Sequence, residues 1–547
     1  MKQQSVGTHN FAYNPKAPIP RSSYPVRQGY KTTFSASYLI PCYLEETSPG
    51  DIFNIRCTAV CRTAVPIAPI VDNWRMDFFY FYLPHRVSWV NWEKFMGSQD
   101  NPGDSISYVT PKVSSPTGGW PAGSIGDYFG LGTVGQITAG VNQQVCAFAL
   151  RMYNRVWNEW FRHEDLQNSL QEYTDNGPDA VGFYNLATRN KRFDYITQAL
   201  PFVQKGTAVT IPLGTTAPIV STGVSIAFDN PAATRTGTTM LLTSGVNTPT
   251  WSNTTVAATG GATFGAAGTT LTSLQVNLAA ASAAQVNVMR TAVATQQLLE
   301  RDARGGTRYP EGIFSHWNVR VADYRVQRPE YLGGGSVPVM FDAIPQTGAT
   351  GATGTTTPQG NLAATGSAHG TNGFSYAATE HGYIMGLCCV TADLNYSQGL
   401  RKHWTRNTRY DYPFPEFAHL GEQPLLNKEL YAVGSATGGV DPADQDMQTF
   451  GYVPRYDEQR HFPSQITGMF RPRTTGNIAF WHSAENFAAL PTLASAFMTD
   501  NTRTVIERNF AGGAATQNQQ FLCDFLYTGR VTRNGLPTYA IPGLTRF

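Results

Sequence analysis

Cationic and aromatic side chains alternate in one short stretch of the chain, GLRKHWTRNTRYDY at residues 399–412. Cations neutralise phosphates and aromatic faces stack on unpaired bases, each stacked base contributing about 1 to 3 kcal/mol. The stretch therefore indicates a surface for single-stranded nucleic acid. A second interpretation stays open, in which these arginines pair with carboxylates of a neighbouring subunit. The candidate residues are Arg401, Lys402, Trp404, Arg406, Arg409 and Tyr410.

Basic residues also gather at both ends of the chain, although the net charge of +2 is too small to indicate nucleic acid by itself. Residues 1–44 carry cations and no acid, which predicts a basic N-terminal arm. Further cations follow the last acid, Asp524. The same two interpretations apply to both ends. The candidates are Lys2, Lys16, Arg21, Arg27 and Lys31 in the arm, and Arg530, Arg533 and Arg546 near the C-terminus.

Other chemistry is weakly indicated. Asp441, Asp444 and Asp446 could hold a hard cation such as calcium, but an EF-hand's closing Glu is missing and a solvated acidic loop is the preferred interpretation. The chain has neither a GxxxxGK[ST] phosphate loop nor an HExxH zinc helix. We therefore predict no catalytic residue, no cofactor and no enzymatic activity.

Seven cysteines form an odd and sparse set, which favours a reducing compartment. Cys57 and Cys61 lack a second pair to complete a zinc site, so we interpret them as buried structural thiols. The N-terminus lacks the apolar core of a signal peptide, and no run of about 18 apolar residues indicates a membrane span. We predict no membrane insertion.

The elements that must position these residues are mainly β-strands. Runs such as RMDFFYFYL and FLCDFLYTGRVTR are rich in aromatic and β-branched residues and are separated by Gly, Pro and Asn, which predicts an all-β framework. Apolar residues at three- and four-residue steps predict one helix within residues 145–161 and a second at Asn287 to Ala303.

Two tracts of low complexity interrupt this framework. Residues 206–285 are rich in Thr, Ala and Gly with little charge, yet keep scattered apolar residues, which favours a surface insertion with short strands over disorder. Residues 343–379 contain no charged residue and include GATGATGTTT, which predicts a mobile loop. Only 14% of all residues are charged and 12% are aromatic, a balance that suits a subunit contacting several neighbours.

Several long strings resemble the major capsid proteins of the Microviridae, small icosahedral single-stranded DNA phages, and especially their gokushovirus branch. The strings are LLERDARGGTRYPEGIFSH at 298–316, RPEYLGGGS at 328–336, TEHGYIMGL at 379–387, AHLGEQPLLNKELY at 418–431, FGYVPRYDEQRHFPSQITGMFR at 450–471, GYKTTFSASYLIPCYLEE at 29–46 and VDNWRMDFFYFYLPHRVSWVNWEKF at 71–95. The resemblance covers nearly the whole chain, 1–547, apart from the two tracts.

The resemblance implies a single eight-stranded antiparallel jelly roll with long loop insertions and a few helices. It implies a T=1 icosahedral shell around circular single-stranded DNA, located in the virion and assembled in the host bacterial cytoplasm. The implied partners are further copies of the chain, the DNA genome, an internal scaffolding protein, a DNA pilot protein and a small basic DNA-packaging protein. Residues 206–285 would form the threefold protrusion and contact a host surface receptor, or serve as a passive spacer.

A rival interpretation of another class is a β-sandwich that binds glycans or hydrolyses them, because such folds also combine aromatics, glycines and few charges. A glycoside hydrolase would need two carboxylates about 5 to 10 Å apart across a cleft, which sequence spacing alone does not establish.

Overall fold

In a computed structural model, the described residues are 19–207, 209, 219–221, 274–276, 286–305, 311, 315–318, 326–345, 347, 362–434, 443–499, 502–511 and 518–538. The chain divides into two compact units. The first runs up to Val203 and resumes at Gly306, and the second spans Gln204–Gly305. No helix within the described ranges is long and apolar enough to cross a membrane.

Strands outnumber α-helices among the described residues of the two units. The strands are β1 (Arg21–Phe34), β2 (Ile40–Thr47), β3 (Ile52–Thr63), β4 (Trp74–Pro84), β5 (Lys112–Ser114), β6 (Gln144–Cys146), β7 (Ile219–Ser221), β8 (Leu274–Val276), β9 (Glu330–Pro345), β10 (Leu362–Ala377), β11 (Gly382–Thr391), β12 (Glu422–Leu426), β13 (Thr449–Pro454) and β14 (Phe521–Asn534). The helices are α1 (His85–Ser88), α2 (Trp92–Phe95), α3 (Ile125–Tyr128), α4 (Phe148–Val156), α5 (Val286–Arg304), α6 (Asn427–Leu430), α7 (Ser495–Met498) and α8 (Thr502–Glu507).

Eight strands form one antiparallel sheet in the order β1-β14-β3-β10-β9-β4-β11-β2. Strands from both ends of the chain alternate in this order, as in the nested Greek keys of a jelly roll. The two edge strands, β1 and β2, lie close to each other. The Tyr30 hydroxyl on β1 donates a hydrogen bond to the Pro41 carbonyl on β2 at 3.1 Å. The sheet is thus a nearly closed barrel, and the predicted all-β jelly roll is confirmed.

Aromatic rings fill the interior of this barrel. Phe78 packs against Phe525 with ring centroids 5.3 Å apart, and Tyr80 packs against Phe374 at 4.8 Å. These separations lie in the range in which aromatic pairs attract beyond simple burial. The strands alternate between inward apolar and outward polar residues, most clearly on β3. This period of two is what places one face of each strand in the core.

Three consecutive glycines on β9 lie opposite the aromatic run of β4. Gly333, Gly334 and Gly335 pair with Tyr80, Phe79 and Phe78 respectively. A Cβ atom on Gly334 would lie 2.1 Å from the Phe78 carbonyl oxygen. Only glycine permits so close an approach of the two strands. Packing therefore requires the middle glycine of the GGG in the family string RPEYLGGGS.

Helix α4 covers the outer side of β4 and β11. Its Leu150 and Tyr153 are buried with Phe81 on β4 and Met385 on β11, and the Tyr153 hydroxyl donates to the Leu39 carbonyl at 2.8 Å. β4 is consequently buried on both faces, which explains its continuous apolar sequence. The helix predicted within residues 145–161 is confirmed, with a π-helical turn at Trp157–Phe161 extending α4.

The second unit contains the other predicted helix. Helix α5 spans Val286–Arg304, which confirms the helix expected at Asn287 to Ala303. Strands β7 and β8 pair with each other antiparallel. Most of the tract 206–285 lies outside the described residues, so its role as a surface insertion or protrusion stays a prediction.

The segments expected to be an N-terminal arm and a mobile loop contain strands over their described parts. Residues 21–34 of the expected N-terminal arm 1–44 form β1, paired along its whole length with β14. Residues 362–377 of the expected loop 343–379 form β10, paired with both β3 and β9. Small residues such as Ala364 and Ala368 face inward there, where larger side chains from neighbouring strands fill the core. The composition of residues 362–377 did not predict a strand, because the strand depends on packing against β3 and β9.

The two cysteines of β3 differ in their chemical state. Burial raises the pKa of the Cys57 thiol to about 12, in accord with an unreactive structural thiol. Cys61 instead forms a disulfide with Cys523, its direct partner on β14, with Cα atoms 4.1 Å apart. The interpretation of Cys61 as a free thiol is wrong, because a sequence separation of 462 residues hid the pairing.

We expect Gly334→Ala to lower the free energy of unfolding by at least about 2 kcal/mol, because its methyl group would collide with the backbone of β4. Gly29→Ala on β1 is the control, since a Cβ atom there meets no atom within 4 Å, and it should change stability by no more than about 0.5 kcal/mol. Urea unfolding followed by fluorescence measures both. Equal stabilities of the two variants would contradict this account of the β4–β9 register.

Candidate nucleic-acid interface

The basic and aromatic segment at residues 399–420 is built from short 3-10 turns, Lys402–Thr405, Arg409–Asp411 and Pro415–Phe417. The Asp411 carboxylate accepts hydrogen bonds from the backbone N–H groups of Thr408 and Asn407 at 2.7 and 2.8 Å. These two bonds lower the pKa of Asp411 below its usual range. These hydrogen bonds stabilise the turn at Arg409–Asp411 in the middle of the segment.

Lys402 forms an ion pair with a buried carboxylate of the same chain. Its ammonium group lies 2.8 Å from the carboxylate of Glu429, whose side chain is almost completely buried. The Tyr195 hydroxyl donates to the same carboxylate at 2.7 Å, and burial beside that charge raises the pKa of Tyr195. Lys402 therefore compensates a buried charge and is not available to phosphate.

Arg406 also forms an ion pair within the chain. Its guanidinium group lies 3.3 Å from the carboxylate of Glu458, and both side chains are about nine-tenths buried. Gln423 donates to the second oxygen of that carboxylate at 2.7 Å. Arg406 also lies over the ring of Tyr412, 5.2 Å from its centroid. Within the chain, Lys402 and Arg406 thus have carboxylate partners that neither interpretation from the sequence included.

The remaining candidates of the segment face solvent. Trp404 is 74% exposed and Tyr410 is 67% exposed. Arg401 donates to the Pro463 carbonyl at 2.8 Å, and Arg409 lies over the Phe414 ring at 5.5 Å, but both side chains are exposed. An exposed surface of this composition is typical of an interaction site.

The basic residues near the chain ends divide into two groups. Lys31 pairs with Asp524, and Arg533 lies 2.8 Å from Asp51 and 2.7 Å from Glu45. These two cations join strands or neutralise acids of the barrel. Arg21, Arg27 and Arg530 are exposed on β1 and β14, with Arg21 donating to the Gly50 carbonyl at 3.0 Å. Lys2, Lys16 and Arg546 lie outside the described residues.

The acidic loop does not assemble a metal site within the described part of the chain. Asp446 is buried and accepts hydrogen bonds from the backbone N–H groups of Val433 and Gly434 at 3.1 and 2.9 Å. Asp444 is half-buried, and Asp441 lies outside the described residues. No group of three or more His, Cys, Asp or Glu side chains among the residues described is placed to hold a metal ion. The carboxylate of Asp446 thus binds the backbone at Val433 and Gly434.

A broad polar surface was missed by the sequence analysis. The outward side chains of β1, β14, β3 and β10, here called the open face, are largely exposed, whereas α4 covers β4 and β11. Two arginines of β3, Arg56 and Arg62, lie on this face beside the candidates of β1 and β14. The alternation of Phe53, Ile55 and Cys57 with polar neighbours was the signal that could have assigned them outward. The cations of the open face are Arg21, Arg27, Lys31, Arg56, Arg62 and Arg530.

The jelly roll is an architecture of viral shell subunits, lectins and cupins, and among these a subunit with many neighbours has reason to leave large aromatic side chains exposed. A family model described as "Capsid protein (F protein)" matches residues 13–544. The chain belongs to this family, the major capsid proteins of Microviridae-type phages.

Curated relatives agree with this assignment over almost their full length. Capsid protein VP1 of Chlamydia phage 1 is 37% identical, with 100% of this chain and 99% of the relative covered. Capsid protein VP1 of Bdellovibrio phage phiMH2K is 40% identical, with 90% of each chain covered. Capsid protein VP1 of Spiroplasma virus 4 is 29% identical, with 100% and 99% covered. The predicted family is confirmed, and the glycan-binding or hydrolase alternative is set aside.

We expect Lys402→Met to destabilise the subunit by about 3 kcal/mol, because it leaves the buried Glu429 carboxylate without its counter-charge. Arg409→Met, which removes an exposed cation from the same segment, should cost no more than about 0.5 kcal/mol. Thermal or urea unfolding of the two variants decides the point. A near-neutral Lys402→Met would contradict the role of Lys402 as the counter-charge of Glu429.

Proposed function

We propose that this capsid protein assembles into a T=1 icosahedral shell of sixty copies that encloses a circular single-stranded DNA genome. The observation that carries the proposal is a rigid jelly-roll barrel with exposed large apolar side chains on its surrounding loops. Phe462 is 90% exposed, and Trp404 and Trp317 are each at least 70% exposed. Contacts between copies would remove such side chains from water, at about 25 cal/mol for each Å² of apolar area buried.

The exposed part of the segment at 399–420 fits a contact between copies. Arg401 is joined to the Pro463 carbonyl, which brings the neighbouring Phe462 close to this segment. Interface cores are rich in aromatics and arginine and poor in other charges. The segment supplies these residue types with Trp404, Tyr410, Arg401 and Arg409. The alternative function of these four residues is to bind single-stranded DNA.

The proposed setting follows from the family resemblance. The protein would assemble in the bacterial cytoplasm with an internal scaffolding protein, and the virion would also contain a DNA pilot protein and a small basic packaging protein. A separate basic protein would neutralise most of the genome, which would allow this chain its small net charge of +2. The chain would act without catalysis, because a shell functions through repeated contacts.

Assembly is tested by co-expressing the chain with the scaffolding protein of its phage and analysing the product by electron microscopy and native mass spectrometry. We expect uniform closed particles with a mass of sixty times the 59.8 kDa chain, plus any packaged nucleic acid. Particles of another copy number would contradict T=1. Monomers alone under all scaffolding ratios would contradict self-assembly.

We propose that residues 206–285 contact the host cell. The test replaces these residues by a short Gly-Ser linker. We expect intact particles whose adsorption to host cells falls at least tenfold, because the shell would remain while its projecting surface is lost. A matched control substitutes Gly29→Ala, which lies on a strand with open space around it. Unchanged adsorption of intact particles would make the tract a passive spacer.

A further inference from the structure

Three arginines come together on the open face around one threonine. Arg27 on β1 and Arg56 on β3 are both directly opposite Thr528 of β14, one on each side. Arg530 is two residues further along β14 on the same face. Diagonal neighbours of this kind lie about 7 to 8 Å apart. We call Arg27, Arg56 and Arg530 the arginine cluster.

The surroundings of the cluster are polar and open. Arg56 is opposite Gly373 of β10, a residue without a side chain. A shallow depression of about 400 Å³ lies here, with Asn54, Arg56, Thr371 and Ser375 in its lining. The guanidinium of Arg56 donates to the Thr371 hydroxyl at 3.2 Å, so it is held over this depression.

The charge of the cluster is not neutralised within the described part of the chain. Each of the three arginines is exposed, and no described carboxylate forms an ion pair with any of them. Asp524, the acid that β14 presents on the same face, is already paired with Lys31. The cluster therefore presents positive charge and hydrogen-bond donors to whatever covers it.

We propose that the arginine cluster binds the phosphodiester backbone of single-stranded DNA, and that the open face consequently points towards the genome. Guanidinium groups donate paired hydrogen bonds to phosphate oxygens, and the amide side chain of Asn54 adds further donors. No aromatic side chain is needed for this contact, so it is independent of base sequence. The inference rests on the proposed enclosure of DNA and assigns the surface that performs it.

The composition of the site favours phosphate over a second copy of the chain. The core of a protein interface is apolar and aromatic. Around the arginine cluster the neighbours are Asn54, Thr371, Ser375 and Thr528. The exposed apolar residues of β3, Ile52 and Val60, lie four positions from Arg56 in either direction. A hydrated polyanion suits such a surface better than a dry protein contact.

The test measures binding of a fluorescently labelled thirty-nucleotide poly(dT) to purified full-length subunits by anisotropy across a series of salt concentrations. For single strands, each phosphate neutralised contributes about 0.7 to the slope of log K against log salt. We expect Arg56→Gln with Arg530→Gln to lower that slope by roughly 1.4 and to weaken binding at least tenfold at about 0.1 M salt. Arg328→Gln with Arg471→Gln, which removes two exposed arginines elsewhere, should leave the slope unchanged.

Two further variants make the result decisive. Replacing Arg56 and Arg530 by Lys should keep the slope, because the charge remains, and this shows that the glutamine variant did not act through misfolding. Arg401→Gln with Arg409→Gln tests the competing surface. Loss of binding there, with unchanged binding in the Arg56 and Arg530 variant, would overturn the proposal.

Particle assembly separates this proposal from the function on which it rests. We expect the glutamine variant of Arg56 and Arg530 to form closed shells with less packaged DNA, measured by the ratio of absorbance at 260 and 280 nm. Shells that form and retain wild-type DNA content would overturn the cluster's role while leaving the capsid function intact. Failure to form shells with unchanged poly(dT) binding would instead assign the cluster to a contact between copies and overturn the proposal.

Discussion

The close approach of β9 to β4 is the constraint on which the rest of the barrel depends. Gly334 has no room for a Cβ atom against the Phe78 carbonyl, whereas a Cβ atom on Gly335 would meet the Asn372 side chain of β10. This register allows β4 to direct Phe78 and Tyr80 into the barrel and Phe81 outward beneath α4. Because a shift of one residue exchanges the two faces of a strand, the register also decides which side chains remain outside.

The two halves of the sheet differ in what covers them. Helix α4 and its neighbouring segments bury the outer side of β4 and β11, whereas β1, β14, β3 and β10 carry polar and basic residues on their open face. Cations that serve folding are buried beside acids, as Lys402 is beside Glu429. Arg56 and Arg530 are exposed and have no described acidic partner. Basic residues close in sequence thus have different physical roles, and burial distinguishes them.

The sequence predicted the framework well. Period-two alternation and turn residues indicated the all-β fold, and apolar spacing placed α4 and α5 within a few residues of their observed bounds. Strings such as RPEYLGGGS predicted the family without explaining the glycines. Their reason lies in β4, some 250 residues earlier in the chain, as the pairing of Gly334 with Phe79 shows.

Pairings over long sequence separations were what the sequence could not show. β10 looked like a loop because its small inward residues are complemented by β3 and β9. Lys402 looked like a nucleic-acid ligand because Glu429 lies on another element, and Cys61 looked free because Cys523 is on β14. Arg56 was overlooked because it stands apart from the basic stretches of the sequence. Only the pairing of β1, β14 and β3 brings it near Arg27 and Arg530.

The most direct test of this account is a cryo-electron microscopy reconstruction of assembled particles at a resolution that traces the strands. The account predicts that the outward side chains of β1, β14, β3 and β10 line the interior of the shell and lie against genome density near Arg56 and Arg530. A shell in which this face forms the outer surface, or is buried between copies, would contradict it.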